Sequence, residues 1–230
     1  TNGKSTLTRL CGEVFSAAGL QVRLGGNYGM PLCALAPASG ESDWIVAEVS
    51  SFQLETVKKF EPRIGVLLNV QPDHLDRHES LRAYGNLKLR LFADMGAEAL
   101  AVIHEDVLRS DETWARRVEQ LNSRVKTIGS SPAADYSYSE GGVRRNSGGA
   151  ADTRIDLSGT PFANPVTGQI AAAALAVGDA AGLDAGSVNR GVRRFKPLPH
   201  RFETVGGKAG ILFVDDSKAT NLAALNAALL

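Results

Sequence analysis

Two cysteines, Cys11 and Cys33, are all that this 230-residue chain carries. They form no C-x-x-C pair and have no histidine pair close by, which argues against a thiolate metal site and against a disulfide framework. Both are read as core thiols of a protein from a reducing, cytoplasmic compartment. Net charge is missing as well: 25 basic residues balance 25 acidic ones. There is then no global field to hold nucleic acid or an anionic membrane, and neither partner is expected. No apolar run approaches the ~18 residues of a membrane span, and the most apolar stretch, residues 170–177, is short and alanine-rich. What remains is an ordinary globular composition, 43% hydrophobic. It suffices for one good core, or for a domain and part of another.

Helical and strand patterns alternate along the chain. Residues 4–18 read as a helix, with Leu7, Leu10, Cys11, Val14, Phe15 and Ala18 at helical spacing and Gly19 as a stop. Residues 20–24, 43–49, 63–70 and 99–103 read as strands, two of them continuous apolar runs of the kind covered on both faces. Residues 81–95 and 107–121 read as amphipathic helices. This alternation predicts an α/β fold with a mostly parallel sheet flanked by helices. Residues 127–158 are short and polar, with turns at Gly141-Gly142 and Gly148-Gly149, and read as small antiparallel strands at a sheet edge. Helices over 168–181 and 185–194 follow. Lys196-Pro197-Leu198-Pro199 then breaks the chain. The expected domains are 1–197, a nucleotide-binding centre, and 198–230, the start of a second α/β unit with a strand at 211–214 and a helix from Asn221.

Several segments carry chemistry. Gly3-Lys4-Ser5 is the second half of a G-x-x-x-x-G-K-[ST] phosphate loop, in which helix N-terminal amides and a lysine meet phosphate and a hydroxyl of Ser5 or Thr6 meets Mg²⁺. The tripeptide also begins ordinary surface helices, and only the whole run from Thr1 to Thr6 with a helix behind it is specific. Such a loop joins a buried strand to a helix, so a chain opening inside it is expected to be a fragment without its leading strand, inactive by itself. Glu48 ends an apolar run, where a carboxylate meets the ligand crevice of a parallel sheet, or simply faces solvent. Asp73, His74 and Asp76 cluster after another such run. His78 and His104 read as structural. Lys88, from spacing alone, reads as a solvated helix lysine. Around the final strand stand His200, Arg201 and Glu203 on one side and Asp216, Lys218, Thr220 and Asn221 on the other. This arrangement suits an anion site better than a helix cap alone, which would use Thr220 or Asn221.

Taken in order, Thr1-Asn2-Gly3-Lys4-Ser5-Thr6, Gly25-Gly26-Asn27-Tyr28-Gly29-Met30-Pro31, Glu48-Val49-Ser50-Ser51-Phe52-Gln53-Leu54-Glu55, residues 69–76, 84–88 and 198–203, and Asp216-Ser217-Lys218-Ala219-Thr220-Asn221 resemble the Mur ligase superfamily, in particular its D-glutamate-adding branch. The resemblance implies a three-domain cytoplasmic ligase of peptidoglycan synthesis, monomeric, of which this chain holds most of the ATP-binding centre. Its partners are UDP-N-acetylmuramoyl-L-alanine and D-glutamate, joined through an acyl phosphate, and its cofactors are ATP and two Mg²⁺ ions. By the same resemblance Gly3, Lys4, Ser5, Thr6, Asn27, Arg201 and Asp216 bind ATP; Ser50, Lys218 and Thr220 meet the substrates; and Ser5, Glu48, His74 and Lys88 hold metal, Lys88 as its carbamate. Lys4, His74 and Lys88 form the catalytic set. One departure stands out: the family's His-Asn-x-x-Asn element reads Phe162-Ala163-Asn164-Pro165-Val166-Thr167-Gly168-Gln169 here. Asn164 matches the first asparagine, but the second, which reaches the adenine, has no clear counterpart unless Gln169 serves. The alternatives are another ligase of the superfamily, adding diaminopimelate or lysine or extending a folate, and a non-catalytic nucleotide-binding piece.

Overall fold

Gly3, at φ 87°, turns the chain into helix α1 (Lys4–Ala17). Leu7, Leu10, Cys11, Val14 and Phe15 bury one face of that helix. Gly19 ends it at φ 82°, with Gly19 N–H bonded to Ser16 O and Leu20 N–H to Phe15 O, a left-handed cap that satisfies the last carbonyls. The computed structural model describes residues 2–73, 75–139, 141–146, 153–201, 203–219 and 225, apart from the side chains of 38, 75 and 76. After α1 come β1 (Val22–Gly26), α2 (Leu32–Leu35), β2 (Trp44–Glu48), α3 (Ser51–Thr56), β3 (Ile64–Leu67), α4 (Leu75–His78) and α5 (Leu81–Leu89). Then follow β4 (Leu100–His104), α6 (Glu105–Ser110), α7 (Glu112–Glu119), β5 (Arg124–Gly129), β6 (Tyr136–Ser139), β7 (Gly142–Arg145), β8 (Arg154–Asp156), α8 (Pro165–Ala180), α9 (Ala185–Arg194), β9 (Glu203–Lys208) and β10 (Ile211–Asp215).

The main sheet runs β3-β4-β5-β6-β7-β8, parallel through β6 and antiparallel beyond it, while β1 and β2 form a separate parallel pair. The expected α/β architecture is thus present, with its antiparallel edge. Every residue of β4 is buried. Leu100 and Val102 face a core built with α1, α8 and α9, whereas Ala101 and Ile103 face a second core with Leu89, Phe92 and Trp114. Two buried faces explain why this strand reads as an unbroken apolar run. Between β2 and β3 lies a cleft of about 520 Å³, lined by Trp44 and Val46 on one side, Ile64 and Val66 on the other, and Leu7 and Cys11 of α1. Among the described residues β2 pairs only with β1, and β3 only with β4.

Some expectations need correction. The helix read over 107–121 is two helices, because Asp111 (φ −151°, ψ 117°) leaves helical geometry and its side chain accepts from Thr113 N–H to start α7. Asp competes with its own backbone in this way. The helix read over 81–95 ends at Leu89 and tightens to a 3₁₀ turn at Arg90–Phe92. β9 was not anticipated, since Gly206 and Gly207 mask a strand pattern; Ala209 and Gly210, both at positive φ, close it onto β10 as a two-residue hairpin. Cys11 is buried as expected, but Cys33 is exposed on α2 and is no core thiol. The Gly148-Gly149 turn and the helix from Asn221 lie outside the described residues. Residues 195–202 carry no strand or helix among the described residues, and β9–β10 form a sheet of their own. No helix among the described residues is long and apolar enough to cross a membrane.

Gly191 shows how closely α9 meets α1: a Cβ there would stand 2.6 Å from Val14 Cα and 2.7 Å from Val14 N. Backbone cannot yield as a side chain can, so Gly191→Ala is expected to cost about 1–3 kcal/mol. Gly96→Ala, with nothing within 4 Å of the new methyl, should stay within about 0.5 kcal/mol of the parent. Urea midpoints of the two variants check this, and equal midpoints would refute the close packing.

Candidate active site

The phosphate loop is tied to the end of β3. Asn2 N–H donates to Asn69 Oδ1 (2.9 Å), Asn69 Nδ2 returns a bond to Asn2 O (3.1 Å), and Asn2 Nδ2 donates to Gln71 Oε1 (3.0 Å). Gly3 packs on Leu68 and Ile170, each near 3 Å from the Cβ that any other residue would add. The α1 amides therefore open outward under Lys4, the arrangement that receives an anion. Lys4 lines the cleft. Burial lowers its pKa, and Arg201 adds to the effect, while the Glu48 and Asp73 carboxylates oppose it. Ser5 is buried, and its Oγ accepts from Arg201 Nη2 at 3.4 Å. Thr6 follows, half-buried.

Glu48 closes β2 and is 4% exposed. Gly26, at φ 100°, brings β1 so near that a side chain there would strike Glu48 O. Asn27 then bonds Glu48 twice, N–H to O at 2.8 Å and Nδ2 to Oε1 at 2.6 Å. The other carboxylate oxygen, Oε2, is buried with no hydrogen-bond partner among the described residues. A buried carboxylate oxygen without a donor suits a hard cation, which takes oxygen ligands. The solvent-facing alternative for Glu48 is excluded by its burial. Ser50 caps α3: its hydroxyl accepts from Gln53 N–H (3.3 Å) while Gln53 Oε1 accepts from Ser50 N–H (2.8 Å). Its side chain is thus half-buried and already engaged.

Lys88 overturns its reading as a solvated helix lysine. Its side chain on α5 is buried, 5% exposed, with Nζ 4.1 Å from the Tyr84 ring centre. Burial first, then the charge of Lys4, push its pKa down to about 7, against the pull of Asp73. Lys4, Glu48 and Lys88 all line the one cleft. His74 lies outside the described residues, as does the Asp76 side chain. His78 and His104 are structural, as read: both are buried, one against Ser51, Glu55 and Tyr84, the other capping α6.

Of the later residues, the structure brings Arg201 to the phosphate loop. Asp216 is half-buried and Lys218 exposed in the turn after β10, where Lys218 N–H bonds His200 O. Thr220 lies outside the described residues. His200, Glu203 and Asp215 gather their ligand atoms within 4.8 Å, but they already bond one another, His200 Nδ1 to Asp215 Oδ2 at 2.7 Å and His200 N–H to Glu203 Oε2 at 2.8 Å. Sequence reasoning missed the Asn2–Asn69–Gln71 ties, although amides at the end of an apolar run were a usable signal.

Residues 1–174 match the family model described as the Mur ligase middle domain. The UDP-N-acetylmuramoylalanine–D-glutamate ligase of Pelotomaculum thermopropionicum is 39% identical, the match covering 96% of this chain and 48% of that protein. The ligase of the same name from Nitrobacter hamburgensis is 38% identical, over 100% of this chain and 49% of that protein. The chain spans about half the length of the curated relatives it matches. Among solved structures, MurF from Acinetobacter baumannii superposes with a TM-score of 0.70 at 15% identity, over 99% of this chain and 51% of that one. MurF ligase from Thermotoga maritima in complex with ADP gives 0.65 at 21%, over 94% and 51%. At such identities these structures bear on the fold alone.

The depressed Lys88 pKa fixes a sign for stability. The unfolded chain keeps this proton up to about pH 10.4, whereas the folded chain releases it near pH 7. Between these limits the unfolded state binds more protons, so Lys88 contributes a stability that rises with pH across that window and a penalty that is complete below it. Lys88→Met should flatten this rise. Urea midpoints of both proteins at pH 7 and pH 9 test it, and parallel slopes would show that Lys88 titrates normally.

Proposed function

Because the chain belongs to the Mur ligase family, we propose that it is the nucleotide-binding centre of an ATP-dependent ligase that adds D-glutamate to UDP-N-acetylmuramoyl-L-alanine in the making of peptidoglycan. The observation that carries this reading is the meeting of Lys4, Glu48 and Lys88 around one cleft beside a phosphate loop. The Ser50–Glu55 run and the Asp216–Asn221 run favour D-glutamate as the incoming amine, in keeping with the names of the relatives.

In this reading Lys4 and the first amides of α1 hold the β- and γ-phosphates, and Arg201 leaves Ser5 to meet them. Asn27 keeps Glu48 turned toward the loop. Ser5, Glu48, His74 and Lys88 would hold Mg²⁺, two ions in all. When bound, such ions neutralise charge on the phosphoryl group in flight. Lys88, half of it unprotonated near pH 7, attacks CO₂ through Nζ; the N–C bond forms, the proton leaves to solvent, and a carbamate anion replaces a cation that faced Lys4. The alanyl carboxylate then takes the γ-phosphoryl group with ADP leaving. The amine of D-glutamate, placed by Lys218 and Thr220, attacks the acyl carbon through its neutral nitrogen; the C–N bond forms, the nitrogen releases a proton to solvent, and the C–O bond to phosphate breaks. Each step concentrates negative charge where Lys4 and Arg201 stand, so preorganised cations supply the largest share of the acceleration.

Two measurements test the proposal. The full-length protein should release ADP only when both UDP-N-acetylmuramoyl-L-alanine and D-glutamate are present; equal turnover with meso-diaminopimelate, lysine or a folate would overturn it. Lys88→Ala should lose roughly 100-fold or more in kcat and recover part of it in acetate, whose carboxylate replaces the carbamate. Near-normal activity of the alanine variant would return Lys88 to a packing role.

A further inference from the structure

Rings contributed by Phe52, His78 and Tyr84 follow one another up to Lys88. Lys88 comes four residues after Tyr84 on α5, so both side chains leave one face, and a long side chain there leans back over the turn before it. Lys88 Nζ accordingly lies over the Tyr84 ring, 4.1 Å from its centre. The same ring stacks on His78, with centres 4.9 Å and planes 26° apart. His78 in turn meets Phe52 of α3 at 5.6 Å. Gly85 seats α5 on Trp114 so closely that any side chain there would strike the indole. That contact fixes the rotation of the helix, and the His78 stack fixes the ring.

His78 is itself held from both nitrogens. Arg77 Nη2 donates to Glu55 Oε2 at 2.8 Å, and this bond holds the carboxyl below its usual range. Nδ1 of His78 stands 3.4 Å from Glu55 Oε1. An ionised carboxylate can only accept, so that nitrogen carries a hydrogen. Nε2 shares a hydrogen bond with Ser51 Oγ at 3.3 Å. Glu55, His78 and Ser51 thus stand in the order of a hydrolytic triad, but Ser51 is 4% exposed and His78 6%. A nucleophile must reach a substrate carbonyl, and this hydroxyl is packed inside. The arrangement suits a clamp instead. It fixes the plane of an imidazole at the corner between α4 and α5, where Glu79 (φ 53°) turns the chain and Ser80 caps the next helix.

We propose that His78 is a positioning residue for Lys88: by stacking on Tyr84 it holds the ring on which Nζ rests, and so keeps that nitrogen at the place in the cleft where it takes up CO₂. This rests on the reading of Lys88 as a carbamate. In that step Nζ bonds the carbon, one C=O electron pair moves onto oxygen, and a proton leaves the nitrogen for solvent. The attraction of a ring face for cations would by itself favour the ammonium, so the stack acts through place and not through charge. Lys4 lines the same cleft, and an anion kept there gains from its charge. Without the imidazole the Tyr84 ring can swing, and Nζ divides its time among other rotamers.

Carbon-13 NMR of the full-length protein in ¹³C-bicarbonate, without Mg²⁺, reads the carbamate directly, its resonance being the one absent from Lys88→Ala. His78→Leu fills the volume without a flat ring, His78→Ala empties it, and His78→Phe restores the ring. The leucine and alanine variants should need about three- to tenfold more bicarbonate for half occupancy, and the phenylalanine variant should stay within about twofold of wild type. In turnover under air His78→Leu should lose kcat and regain it on added bicarbonate, with KM for D-glutamate unchanged; a loss of packing alone would not respond to bicarbonate. Thermal melts show which variants fold, and either His78→Leu or His78→Ala suffices for the comparison. Wild-type bicarbonate dependence in a folded leucine or alanine variant would overturn the role of His78 alone, as would a phenylalanine variant impaired as much as the leucine one. A wild type with no carbamate resonance would overturn the Lys88 reading and this inference with it.

Discussion

The reciprocal bonds between Asn2 and Asn69 are the constraint on which the site depends. They join the phosphate loop to the end of β3, 67 residues away in sequence, through the backbone N–H and C=O of Asn2. Each such bond contributes only about 1 kcal/mol net, but leaving a buried amide unmet costs more. The pair therefore acts chiefly as a specification of one loop geometry. Gly3 completes it, since its positive φ disfavours any other residue and a Cβ there would press on Leu68 and Ile170. With the loop so fixed, Lys4 has one direction to point, into the cleft where Glu48 and Lys88 also stand.

That convergence is electrostatically costly. Burial depresses both lysines, the charge of Lys4 lowers Lys88 further and that of Arg201 lowers Lys4, while Asp73 offsets part of the effect on each and Glu48 part of that on Lys4. A structural carboxylate satisfies itself, as buried Glu105 does, with Oε2 accepting from Arg109 Nη2 at 2.7 Å and Oε1 from Ser131 N–H at 3.1 Å. The site does not, because Glu48 keeps a buried oxygen with no donor among the described residues. Charges held in partial dissatisfaction are a mark of function rather than of packing. An anion at the loop would raise both lysine pKa values, and a cation at Glu48 would complete its coordination, so the two ligands favour each other's arrival through the same few groups.

Much of this was legible in the sequence, for reasons that differ residue by residue. The glycine before Lys4 and the helix behind it announced the loop, since left-handed backbone and helix amides need those residues in that order. Glu48 was legible from its place after an apolar run, because parallel strands deliver their carboxyl ends to one crevice. Lys88 was legible only through resemblance: helical spacing says which face a residue occupies, but not that α5 turns that face toward Lys4. The break at Asp111 was missed because apolar periodicity runs across it while a local side-chain bond decides the geometry. β9 was missed because its two glycines carry no pattern at all, and Cys33 because α2 is a single turn too short to bury its own face.

The fold also divides the site between two pieces of sheet. Asn27 and Glu48 belong to the β1–β2 pair, whereas Asn69, Asp73 and Lys88 follow β3 or pack behind it, and the two pieces share no strand-to-strand bond among the described residues. What holds them in register is α1, together with an aromatic brace at the far end of the cleft. Phe15 of α1 stacks on Trp44 at 4.9 Å, and the Arg63 guanidinium, just before β3, lies over the same indole at 5.1 Å. A cation over a ring contributes roughly 0.5–2 kcal/mol, modest beside the burial of the ring itself, but it is placed where it sets the spacing of β2 from β3. Because strands are stiff along their length, spacing fixed at Trp44 and Arg63 is carried to Glu48 and Leu68. The geometry of the charged end thus rests on an apolar and aromatic contact at the opposite end.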